Sequence, residues 1–132
     1  MEDDQDWDLR AFSERYLQRC NEHRFDELAE FVAADVRVND RPQCLEQYVA
    51  GLRAVVSAFP DYRWNLRRLF VEGPWLSAYF TDTGTHRGTF LGVPATGRAV
   101  STVEFAVYRL AEGKIADVWV TADNLGLLEQ VR

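Results

Sequence analysis

Apolar residues recur at helical spacing over the first sixty positions of the chain and at strand spacing over most of the rest. From about Trp7 to His23, Leu9, Phe12, Tyr16 and Cys20 fall every three or four residues, which predicts an amphipathic helix behind an acidic tail, residues 1–6. A short second helix carries Phe25, Leu28, Phe31 and Val32, and the segment DVRVND reads as a short strand ending in turn formers. Leu45, Tyr48, Val49, Leu52, Val55 and Phe59 predict a third helix over residues 43–59. Pro60 stops it, because proline has no amide proton to donate.

Beyond this point the period changes to two. Tyr62, Trp64 and Leu66 alternate with Arg63, Asn65 and Arg67, and then Leu69 and Val71 continue on the opposite parity. Such a slip predicts a β-bulge at Arg67–Arg68, which bends a sheet. GPWLSAYFTDTGTH forms the next strand. STVEFAVYRL and KIADVWVTA then flank AEG, read as a three-residue hairpin loop with Gly113 left-handed. DNLGLLEQ closes the chain as a helix with Asp123 as N-cap. Three helices followed by antiparallel strands predict a single α+β domain over residues 1–132, with the helices covering one face of a curved antiparallel sheet to enclose a cone-shaped pocket.

Composition narrows the function. Of 132 residues, 47% are hydrophobic and 13% aromatic, enough for a core without metals or disulfides. A net charge of -6 repels phosphate backbones, so no nucleic-acid partner is expected. No apolar run approaches membrane-spanning length, and the acidic N-terminus is unlike a signal peptide, so a cytoplasmic location and no membrane partner are expected. Cys20 and Cys44 lack metal-type spacing and read as reduced thiols.

One stretch fits neither period: GTHRGTFLGVPATGR, Gly84 to Arg98. Its spacing G-x-H-x-G-x-x-x-G-x-P-x-T, with the following YRLAEGKI and DNLGLLEQ, resembles the SnoaL-like polyketide cyclase and ester cyclase family, over roughly Phe59 to Gln130. The resemblance implies a nuclear transport factor 2-like, cystatin-like α+β barrel whose pocket takes a hydrophobic polyketide-type or polycyclic molecule. It implies catalysis without metal or cofactor, and a homodimer formed through the outer sheet face, which would suit Trp119. It also implies a carboxylate on the last strand and a histidine on its neighbour. Counted from EGKI, those positions hold Val120 and Ala106.

If Ala106 and Val120 point inward, Glu104, Tyr108, Ala116 and Val118 share their face by period two. A three-residue hairpin loop sets Ala106 opposite Val118 and Glu104 opposite Val120, and an antiparallel return brings Asp82 near Glu104. Glu104 is the leading candidate for a general acid or base, with Asp82 and Tyr16 assisting. His86 is a further catalytic candidate, although fixing the glycine-rich rim is its simpler role. Trp64, Tyr108, Ala106, Val118, Val120, Phe80 and Asn39 are the expected pocket lining. N-capping explains Asp123, and His23 is expected to be exposed. The chemistry expected is cyclisation or isomerisation by proton transfer. Epoxide opening or hydroxylation, or binding without catalysis, are the alternatives.

Overall fold

The computed structural model describes residues 2–132, with side chains from Asp8 onward. Helix α1, Glu2–Asn21, starts before the expected boundary and takes in all four acidic residues read as a tail. Phe12, Tyr16 and Cys20, each four residues from the next, form its buried stripe. The short second helix is a 3-10 turn, Phe25–Glu30, whose Phe25 and Leu28 reach the core. Strands β1, Val32–Val38, and β2, Arg41–Pro42, precede helix α2, Leu45–Ala58. Four long strands follow: β3 Arg63–Glu72, β4 Trp75–Thr85, β5 Ala99–Ala111 and β6 Lys114–Ala122. Helix α3, Asn124–Val131, ends the fold, and Asp123 caps it by accepting from the Gly126 amide at 2.9 Å.

The sheet runs β2-β1-β6-β5-β4-β3 and does not close into a barrel. It is mixed rather than wholly antiparallel, because β1 lies parallel to β6. Residue pattern signals a strand but not its direction; the crossover through α2 and the hairpins decides that. The bulge expected in β3 is present, with Arg67 skipped between the pairs Leu66↔Phe80 and Arg68↔Tyr79.

The β5–β6 hairpin differs from expectation. Ala111 pairs with Lys114, so the loop is Glu112–Gly113 alone, with φ of 54° and 79°. Two left-handed residues match the twist of a tight hairpin. Ala106 therefore faces Val120, and Glu104 faces Ala122. The β4–β5 register also moves by one pair, setting Phe80 against Glu104 and Asp82 against Thr102. Each slip is of two residues, so every side chain keeps its expected face. The exception is Ala116. A bulge follows the pair Arg109↔Asp117, Leu110 pairs with Ile115, and the buried side chain is Ile115.

The glycine-rich segment links β4 to β5 as a clasp over the end of α2. The amides of Arg87 and Gly88 both donate to the Ala58 carbonyl at 3.0 Å, capping a helix end that lacks intrahelical partners. Gly88 lies so close to α2 that a Cβ there would stand 2.3 Å from the Ser57 carbonyl oxygen. Under the clasp, the fully buried Phe59 packs on Tyr62, His86 and Phe90 at 5.9, 5.6 and 5.2 Å. Gly88→Ala is expected to cost roughly 1–3 kcal/mol, the range of a local backbone clash. Thermal unfolding checks this, with an expected fall in Tm of roughly 3–10 °C.

Candidate active site

A cavity of about 160 Å³ lies between the inner sheet face and the three α-helices. Trp64, Phe80, Tyr108, Val118 and Val120 line it as expected, together with Tyr16 and Glu104. Two expected lining residues do not. Ala106 is buried on the inner face, but its methyl group is too short to reach past its longer neighbours. Asn39 sits at the sheet edge in a left-handed turn, φ 51°, and its Oδ1 accepts from the Val120 amide at 3.0 Å. Its polar group is spent on backbone.

Glu104 is the one carboxyl group on the wall among the described residues. Asp82, fully buried, lies just behind it. The strand pairing makes them diagonal neighbours on one face, within reach of each other's side chains. Asp82 Oδ2 accepts from the Tyr62 hydroxyl at 2.9 Å, and Oδ1 is buried without a hydrogen-bond partner among the described residues. Burial pushes Glu104 up to about 9, and the neighbouring Asp82 adds to the rise; the Trp64 indole opposes it. Burial also raises Asp82, and the neighbouring Glu104 and Tyr62 side chains oppose it. No arginine, lysine or histidine pairs with either carboxyl among the described residues. With no counter-charge beside them, the two groups titrate as one coupled pair that retains a proton at neutral pH, Glu104 being pushed up to about 9.

Three tyrosines stand on other parts of the wall. The Tyr16 and Tyr48 hydroxyls are 2.5 Å apart, and the Tyr108 ring meets Tyr16 edge-on at 6.0 Å. Burial raises all three phenols above their ordinary value, so they remain protonated. Cys20 is pushed up to about 12 by burial, which keeps the thiol unreactive. Tyr48 and Tyr62 were not among the expected site residues. Tyr48 had been absorbed into the apolar stripe of α2 and Tyr62 into the alternation of β3, and a hydroxyl leaves no mark on either period.

His86 lies away from the cavity. Its ring is fully buried against Phe59 and absent from the cavity wall. Nδ1 accepts from the Thr96 amide at 3.2 Å and lies 3.0 Å from the Thr96 hydroxyl. Its own amide donates to Arg98, and its carbonyl accepts from Gly97 at 2.7 Å. Two residues of the sequence motif, His86 and Thr96, thus pin the clasp to itself. His23 is half-buried rather than exposed, with Nε2 2.9 Å from the Tyr62 carbonyl. Asp117 belongs to the outer face, where Arg109 bonds it at 2.6 Å and Arg37 at 3.5 Å. On that face Trp119 donates to Asp40 at 2.9 Å and packs on Trp75 at 5.8 Å.

The family model for SnoaL-like polyketide cyclases matches residues 10–131. The chain belongs to the SnoaL-like polyketide cyclase family. The aklanonic acid methyl ester cyclase DnrD of Streptomyces peucetius is 29% identical over 125 residues, covering 89% of this chain and 86% of that protein. The solved structure of a SnoaL-like polyketide cyclase from Agrobacterium tumefaciens is 30% identical, with a TM-score of 0.82, over 94% of this chain and 98% of that one. TsrD of Streptomyces laurentii superposes with a TM-score of 0.84 at 28% identity, over 93% of each chain. The fold is therefore that of the SnoaL-like, nuclear transport factor 2-like α+β proteins. Within this family member, the strand positions where the resemblance implies a histidine and a carboxylate hold Ala106 facing Val120. The carboxyl pair instead involves the neighbouring row of β5 and its diagonal on β4.

A proton held only in the fold gives a signed prediction. Glu104 rises from 4.5 to about 9 on folding, so the folded chain binds more protons than the unfolded chain between those values. Its contribution to stability is fully present below about pH 4.5 and is lost as pH rises towards 9; Asp82, also raised, acts with the same sign. Urea unfolding between pH 6 and 9 is expected to show falling stability, and Glu104→Gln to flatten that fall.

Proposed function

We propose that this protein catalyses a cyclisation or isomerisation of a hydrophobic, polyketide-type aromatic ketone, with Glu104 as the proton-transfer group and Asp82 as its charged partner. The observation that carries the proposal is a carboxyl group on the wall of an apolar cavity, with a second, fully buried carboxyl diagonal to it across the strands and no cation pairing with either among the described residues. Family membership and the cyclase relatives favour the same class of substrate.

Glu104 gives its proton to a ligand carbonyl oxygen, and the negative charge that remains is shared with the Asp82 site. The Glu104 carboxylate then takes a proton from the α-carbon, and the electron pair of that C–H bond forms the enol double bond. Glu104 ends as it began. In an isomerisation Glu104 reprotonates the enol at a different carbon and recovers the enol O–H proton; in a cyclisation the enol carbon attacks a second carbonyl in the same molecule, whose oxygen takes the Glu104 proton while the enol O–H returns its proton to the carboxylate. Neither step calls on a cofactor. Opening of an epoxide needs the same proton donor, and the neutral state of Glu104 at pH 7 favours this as the second reading. Oxygen-18 taken from water into the product distinguishes it.

Asp82 contributes by holding Glu104 in the proton-bearing state and by keeping charge out of the ligand space. Tyr62 fixes Asp82 through the 2.9 Å hydrogen bond. As part of the same proposal, a second copy of the chain covers the outer face, where Phe70, Val103 and Phe105 are exposed and Tyr79 stacks on Phe105 at 5.2 Å. Two-fold pairing matches this apolar patch to itself.

Exchange of α-hydrogens for deuterium in a panel of aromatic ketones of one to four rings, followed by NMR, tests the chemistry. Acceleration by the protein is expected for at least one ketone. It should fall about 10²–10⁴-fold in Glu104→Gln, the usual contribution of general acid–base catalysis. In the unmodified protein kcat/KM should decline as pH rises through about 9, where Glu104 loses its proton. A rate that instead climbs towards pH 9, or full activity in Glu104→Gln, contradicts the role. For the outer face, Phe105→Glu is expected to shift sedimentation from dimer to monomer; a native protein already monomeric at micromolar concentration refutes that part.

A further inference from the structure

The wall of the cavity carries more hydrogen-bond donors than the protein uses. Tyr16 and Tyr48 bond each other at 2.5 Å, and the weakly accepting thiol of Cys20 is the other group beside the Tyr16 hydroxyl. A phenol has one proton, so the pair consumes one of its two and leaves one O–H with no oxygen or nitrogen acceptor among the described residues, whichever tyrosine donates. Tyr108, on the same wall, has no hydrogen-bond partner for its hydroxyl among the described residues. Phenylalanine in all three places would fill nearly the same volume without placing hydroxyl groups on the cavity wall. The remaining wall here is aliphatic, with Leu52 and Val55 from α2 and Val118 and Val120 from β6.

We infer that the Tyr16–Tyr48 pair, with Tyr108 beside it, is a binding station for an oxygen acceptor of the substrate. The substrate is then a compact ketone of one or two fused rings, or a larger molecule that buries only that much, and it carries a second oxygen besides the one that meets Glu104. This rests on the acid role of Glu104 only for which oxygen is which. The phenols come from α1, α2 and β5, whereas Glu104 and Asp82 come from β5 and β4. Tyr108 and Glu104 stand four residues apart on one face of β5, so the two polar stations lie at different points along the wall and fix a flat molecule by two points. Being protonated, the phenols donate; they stabilise a carbonyl oxygen or the negative charge that gathers on it, and they do not remove protons. Volume sets the size of the buried part. The cavity of about 160 Å³ is close to the ~150 Å³ engineered cavity known to take up benzene.

Binding of 1-tetralone, a two-ring ketone that only accepts hydrogen bonds, against tetralin, its hydrocarbon counterpart, tests the inference by calorimetry. In the double variant Tyr16→Phe/Tyr48→Phe the ratio of ketone to hydrocarbon affinity is expected to fall about tenfold, the worth of one buried hydrogen bond. Tetralin affinity should stay within about threefold, which also reports that the cavity is intact. Glu104→Leu removes the other donor, and in that background the ratio should still fall about tenfold when Tyr16→Phe/Tyr48→Phe is added. A double variant with the native ratio, a Glu104→Leu ratio that the added tyrosine changes leave unaltered, or a native protein that binds neither compound overturns the inference. If the double variant fails to fold, the infrared carbonyl stretch of 1-tetralone bound to Glu104→Leu decides. A shift to lower frequency than in alkane supports the phenol station, and an alkane-like frequency refutes it. These readouts concern binding alone, so loss of the acid role leaves them standing, and their failure leaves the acid role untouched.

Discussion

The antiparallel pairing of β4 with β5 is the constraint on which the rest of the molecule hangs. It runs unbroken through eleven rows, from Trp75↔Arg109 to Thr85↔Ala99. Because side chains alternate strictly along such a ladder, this one register assigns each residue of both strands either to the cone or to the outer face. Leu76, Ala78, Phe80 and Asp82 go inward with Thr102, Glu104, Ala106 and Tyr108. The exposed Val103 and Phe105 go outward. Bulges at Arg67 in β3 and Ala116 in β6 lie outside this ladder, so they bend the sheet without disturbing the faces at its centre.

The clasp of residues 84–98 completes the cone. Its backbone donates to the end of α2, and Phe59, the first residue past that helix, fills the space beneath it. Phe90 belongs both to this aromatic cluster and to the cavity wall, so packing in the clasp is felt directly by whatever occupies the pocket. His86 serves the clasp from within. Its ring spends Nδ1 on Thr96, which explains a buried histidine that touches no ligand space.

The same residue type meets opposite fates on the two sides of the sheet. Asp117 on the outer face is held by Arg109 and Arg37. Asp82 and Glu104 on the inner face have each other and Tyr62 but no cation. Removing two carboxyls from water without a counter-charge costs more than removing one carboxylate and one carboxylic acid, so the pair keeps a proton. That retained proton is the source of any reactivity the cavity has. The phenols opposite are neutral for the related reason that burial disfavours their anions.

The periodicity of the chain was enough for the helices, the four long strands, the β3 bulge and the inward parity of Glu104, because burial on one face must repeat with the geometry of the element. Slips of two residues in both hairpins left that parity intact, which is why Glu104 could be picked out with the wrong cross-strand partner. Asn39, Ala106 and His86 stand off the cavity wall, which pattern could not show, because it says which way a residue faces and not how far its side chain reaches or what bonds it first. The resemblance of the glycine-rich segment to a known family was visible in residues alone. Local sequence thus determined the elements and their faces. Only the tertiary structure decided the parallel placement of β1, the phenol pair joining α1 to α2, and the absence of any cation beside Asp82 and Glu104. Those depend on contacts between residues dozens of positions apart, where the energy belongs to the assembled surroundings and no local pattern records it.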